Sequence, residues 1–85
     1  TAYYLRIQVQ DKTGVLASVA TILSERGINI EAIIQKEPKE DDDVAQIIIL
    51  THRILERDMN AAIVAIESLP STVGDVTRIR VEQLD

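Results

Sequence analysis

Two stretches of this sequence repeat their apolar residues at helical spacing, and each is bracketed by stretches that alternate residue by residue. That switching of period leaves few architectures open. In residues 3–10, Tyr3, Leu5, Ile7 and Val9 point one way and Tyr4, Arg6, Gln8 and Gln10 the other, as in a strand. Asp11-Lys12-Thr13-Gly14 interrupts the alternation as a turn. Val15, Leu16, Val19, Ile22 and Leu23 then follow a helical stripe, with Ser18, Thr21, Glu25 and Arg26 opposite. Thr13 is the expected N-cap, and Gly27 the glycine expected just past the helix end. A second strand is expected over residues 28–37, with Ile28, Ile30, Ala32 and Ile34 on one face and Ile33 on the other. A charged connector, 38–43, leads to a strand at 44–52. Asp58 is the expected N-cap of a second helix, whose stripe is Met59, Ala62, Ile63, Ile66 and Leu69, and Pro70 stops it. A last strand, 76–84, sets Thr77, Ile79 and Val81 against Arg78, Arg80 and Glu82.

The order is therefore βαββαβ, two βαβ units of about half the chain each, with no linker long enough to divide residues 1–85 into two domains. Right-handed crossovers put both helices on one face of a four-stranded antiparallel sheet. The expected class is α+β with a ferredoxin-like architecture.

Ile47, Ile48, Ile49 and Leu50 are consecutive, so the third strand is apolar on both faces. Ala61, Val64 and Ala65 leave the outward side of the second helix poorly polar as well. Apolar surface on both sides of an element calls for cover on both sides, and the chain is expected to associate. At 85 residues it lies near the small end of what folds alone, which argues the same way. The first residue is not methionine, and the chain is expected to be a piece of a longer one.

Composition removes several functions. There is no cysteine, hence no thiolate metal site, thiol nucleophile or disulfide. The net charge is −5 and the only aromatic residues are Tyr3 and Tyr4, a poor basis for binding nucleic acid. No apolar run approaches the roughly 18 residues of a membrane span. His52 stands alone, without a serine or cysteine placed to pair with it, and reads as a structural residue. Glu37, Glu40, Asp41, Asp42 and Asp43 lack the glycine and ligand spacing of a calcium loop and read as a solvated hairpin tip. No catalytic residue and no metal ligand is assigned.

The turn before the first helix is the informative segment. The N–H groups of Gly14, Val15 and Leu16 have no partner within the helix and carry the positive end of its dipole, which suits a carboxylate. Asp11 either receives an ammonium group or hydrogen-bonds its own turn. Every helix start has free N–H groups, so the turn alone leaves both readings open.

The set formed by Asp11-Lys12-Thr13-Gly14-Val15-Leu16-Ala17 and, one helix later, Gly27-Ile28-Asn29-Ile30 resembles the signature of the ACT domain family. The resemblance covers the whole chain, and that family has the same βαββαβ order. Within it, Ile30-Glu31-Ala32, Gln35-Lys36-Glu37, Ile49-Leu50-Thr51-His52-Arg53, Met59-Asn60-Ala61-Ala62 and the ending Val76-Thr77-Arg78-Ile79-Arg80-Val81-Glu82 look most like the C-terminal domain of bacterial homoserine dehydrogenases. The resemblance implies a cytoplasmic regulatory domain that senses an amino acid, L-threonine in that pathway. It implies a homodimer, with ligand between the turn of one copy and the second strand of the other. Asp11, Thr13, Gly14, Val15 and Leu16 would then form the turn side, and Asn29 and Ile30 the strand side, with Gln35 a further candidate. NAD(P) would belong to the parent catalytic domain, since this chain has three glycines and no dinucleotide-binding loop. A module that only dimerises, or an ACT domain of another biosynthetic enzyme, are the alternatives. Many ACT turns have proline where this chain has Thr13, which frees the turn's φ angle and adds a hydroxyl.

Overall fold

A computed structural model describes residues 1–10, 14–36 and 44–81. Its elements are β1 (Ala2–Gln10), α1 (Val15–Glu25), β2 (Ile30–Lys36), β3 (Val44–Thr51), α2 (Glu56–Glu67) and β4 (Thr77–Val81). The strands form one sheet in the order β2-β3-β1-β4, every neighbouring pair antiparallel. Strands joined through a helix are never neighbours out of hand here: β1 and β3 form the centre, and β2 and β4 the two edges. The expected βαββαβ sheet with two helices on one face is the fold observed.

The core lies between that face and the helices. Tyr3, Leu5, Ile7 and Val9 of β1 and Ala45, Ile47 and Ile49 of β3 meet Val15, Val19 and Leu23 of α1 and Met59, Ala62 and Ile66 of α2. Each fully buried large side chain contributes about 1.5–3 kcal/mol of transfer free energy before ordering costs. Thr51 is buried among them, and its Oγ1 accepts the Tyr3 N–H at 3.1 Å, so its hydroxyl carries no desolvation penalty. The run from Ile47 to Leu50 divides as alternation requires: Ile47 and Ile49 are buried under the helices, while Ile48 and Leu50 take the opposite face.

Both helix starts differ from expectation, while the end of α1 follows it. At the end of α1, Gly27 adopts φ 71° and donates to the Ser24 carbonyl at 3.0 Å, while Ile28 donates to Leu23 at 3.0 Å. This is the paired closure a glycine past the helix end permits. At the start of α1, however, Gly14 and not Thr13 holds the N-cap position, and Thr13 lies outside the described residues. At the start of α2 the N-cap is Leu55, and Asp58 sits inside the first turn beside Glu56. There the carboxylates act through the helix dipole, not as capping acceptors.

β2 departs further. Ile30 pairs with Thr51, but the next pair is Ala32 with Leu50, so Glu31 is an extra residue in a β-bulge. After the bulge the faces exchange. Ile30 and Ile33 pack against the core, while Ala32 and Ile34 share the open face with Leu50 and Ile48. The expectation of Ile30, Ala32 and Ile34 on one face is thereby overturned, because one inserted residue reverses every later side chain.

At the other edge β4 begins at Thr77, one residue later than expected, and residues 82–85 lie outside the described residues. Its arginines cover the flank of the helical layer. The Arg78 guanidinium lies 6.0 Å from the Tyr3 ring centroid and donates to the Asn60 side chain. Arg80 meets Glu56 at 2.9 Å, and this partner raises the Arg80 pKa above its ordinary value. Among the described residues, no helix is long and apolar enough to cross a membrane.

Candidate functional site

Gly14 ends the turn with φ 91° and ψ −6°, in the left-handed region where a side chain is strained. Its carbonyl accepts the Ser18 N–H at 2.9 Å and opens the helical ladder. Among the described residues, no side-chain cap bonds the start of α1, and no acidic residue stands in its first turn. The N–H groups of Val15 and Leu16 precede the first residue with a partner four positions back, so they have no acceptor within the helix. A Cβ built on Gly14 would meet nothing within 4 Å among the described residues. Asp11 and Thr13, expected on this side, lie outside the described residues.

Asn29 and Ile30 stand elsewhere. They help line a groove of about 640 Å³ with Ala2, Glu31, Thr51, His52 and Arg53. The β2–β3 ladder makes it: Ile30 pairs with Thr51, and beyond the ladder the His52 N–H donates to the Asn29 carbonyl at 2.9 Å. The bulge sets Glu31 at its rim. The volume falls in the range of small-molecule sites. Its lining combines acidic, basic and amide-bearing residues, Glu31, His52, Arg53 and Asn29, with apolar Ala2 and Ile30. Gln35 is exposed on β2 opposite Ile47 and does not line the groove.

Glu31 and Arg53 were not legible as residues of this groove in the sequence, and His52 read as structural. Their meeting depends on the register of two strands and on a bulge, and neither leaves a spacing signal. Among the described residues, no group of three or more His, Asp or Glu is placed to hold a metal ion.

The two predicted halves do not meet within one copy. Gly14, Val15 and Leu16 lie at the start of α1, and Asn29 and Ile30 follow its end. An 11-residue helix separates them, a span of about 16 Å. An amino acid is too short to bridge that distance.

The pattern of the ACT domain family matches residues 3–71. The chain belongs to the ACT domain family. It is 60% identical over all 85 residues to a homoserine dehydrogenase from Pseudomonas aeruginosa, of which it spans 20%. The structure of a homoserine dehydrogenase from Thiobacillus denitrificans superposes with a TM-score of 0.86 at 45% identity, over 96% of this chain and 17% of that one. The ACT domain of the GTP pyrophosphokinase of Chlorobium tepidum shares the fold alone, with a TM-score of 0.72 at 15% identity over 92% of this chain and 96% of that one. The chain thus spans about a fifth of the length of the curated relatives it matches. As an ACT domain it confirms the family and fold expected from its turn and glycine motifs.

Proposed function

We propose that this ACT domain is the amino-acid-sensing regulatory part of a homoserine dehydrogenase, and that its ligand is L-threonine. The observation that carries the reading is the 60% identity along the full chain to one fifth of such an enzyme. On this reading the chain has no reaction of its own, NAD(P) binds in the remainder of the longer chain, and the protein works in the cytoplasm.

The separation of the two halves favours a homodimer with composite sites. The turn of one copy supplies the N–H groups of Val15 and Leu16 to the ligand carboxylate, with Gly14 leaving room for its approach and Asp11 and Thr13 beside them. The groove of the other copy supplies Asn29 and the backbone at Ile30. A carboxylate at a helix start gains about 0.3–1 kcal/mol from the dipole, and more when partly buried. Ligand then favours one arrangement of the two copies. The dehydrogenase part responds only through a difference in affinity between arrangements, typically about 1–3 kcal/mol of coupling.

Isothermal titration with L-threonine and the other amino acids of the aspartate pathway, with light scattering for mass, tests this. Saturable heat from L-threonine on a species of dimer mass is the expected result. Heat from a different amino acid would reassign the ligand. Silence from a folded dimer would make the chain a dimerisation module.

A further inference from the structure

The helices cover one face of the sheet, and the ladders arrange the other in rows. Ala32, Leu50, Tyr4 and Ile79 form one row, and Ile34, Ile48, Arg6 and Thr77 the next. Ala2 and Val81 extend the apolar area at one side, and Lys36, Gln46 and Gln8 close it at the other. No element among the described residues lies over these rows, and Ile34 is 52% and Ile79 53% exposed. From the strand spacing and the residue rise, the apolar part covers on the order of 350 Å², a size at which surface patches are often functional.

Charge says what fits it. The chain carries −5, yet the charged residues paired within this face are Arg6 and Lys36, both basic. A second copy laid face to face would bring apolar and basic side chains against the same set, with no carboxylate among the described residues of the face to answer them, which disfavours self-association here. The relatives supply the other candidate, since four fifths of the length of the P. aeruginosa protein has no counterpart in this chain.

We infer that this open sheet face docks on the remainder of the longer chain, against an apolar surface edged by carboxylates that meet Arg6 and Lys36. The inference rests on the chain's being part of a longer protein of the homoserine dehydrogenase type, and not on which amino acid it senses. Such a contact is also the route by which an arrangement of two regulatory domains reaches a catalytic part.

The test uses the full-length chain with a photo-crosslinking residue, p-benzoylphenylalanine, at Ile34, Ile79 or Val64, and maps the products by mass spectrometry. Val64, 64% exposed on α2, is the control. Positions 34 and 79 should crosslink to peptides of the dehydrogenase part, and position 64 should not. Products joining this segment to the same segment of another copy, or equal yields at all three positions, would overturn the inference. In parallel, Arg6→Glu should lower the yield at position 79 several-fold while titration with L-threonine is unchanged. An equal yield would remove the charge argument. If the full-length chain lacks homoserine dehydrogenase activity but crosslinks as expected, the functional reading fails and the docking face stands.

Discussion

The two helices of this domain begin in opposite ways. α2 starts on Leu55 with Glu56 and Asp58 in its first turn, and Glu56 also meets Arg80. α1 starts on Gly14 in a left-handed conformation, with no acidic residue in its first turn; neither helix has a side-chain cap among the described residues. Both carry the same partial positive charge at their N-termini. Among the described residues, carboxylates answer that charge at α2 and none does so at α1. On the reading proposed above, the α1 turn is the end that receives an anion from outside.

Replacement of Gly14 by valine should break the comparison most severely. A β-branched residue at φ 91° should lose at least about 1–2 kcal/mol of stability in urea unfolding, together with amino-acid affinity. Gly14→Asn should keep most of both, because asparagine tolerates that backbone. Equal stability for the valine and asparagine variants would mean that the turn relaxes to another conformation. Next, Asn29→Ala should weaken L-threonine binding by about tenfold with little change in melting temperature, since Asn29 is exposed. Unchanged affinity in calorimetry would make Asn29 an ordinary strand residue.

Ala17→Glu sharpens the contrast by giving α1 what α2 already has. Ala17 is exposed in the first turn of α1, so a carboxylate there should raise stability by about 0.3–1 kcal/mol while lowering ligand affinity. Opposite signs in the two measurements are the signature; a gain in both would remove the anion site. The smallest effect belongs to Asp58→Asn, which should cost about 0.3–1 kcal/mol at low salt, less at high salt, and leave ligand binding untouched. A loss of binding there would tie α2 to the site.

Much of the architecture was readable because periodicity reports burial directly. Val15, Val19 and Leu23, or Leu5 and Ile7, declare their faces by spacing alone. The candidate site was legible only in part. Gly14 and the donors after it belong to a local motif, so sequence finds them. Glu31 and Arg53 join Asn29 only through the pairing of β2 with β3, a contact that short-range patterns do not encode.

The same division runs through the whole molecule. By itself the sequence determined the order of elements, the inward stripe of each helix, the two-sided apolar character of β3 and the glycine closure of α1. These depend on neighbours within a turn or two of chain. Only the tertiary structure decided that Glu31 bulges and sends Ile33 inward, that Leu55 and not Asp58 begins α2, and that Arg78 and Arg80 flank the helices. It alone brought Glu31, His52 and Arg53 into one groove with Asn29. A bulge, a cap and a register are chosen by competition among packed partners distant in sequence, where one residue of slip reverses a face and local propensity has no vote.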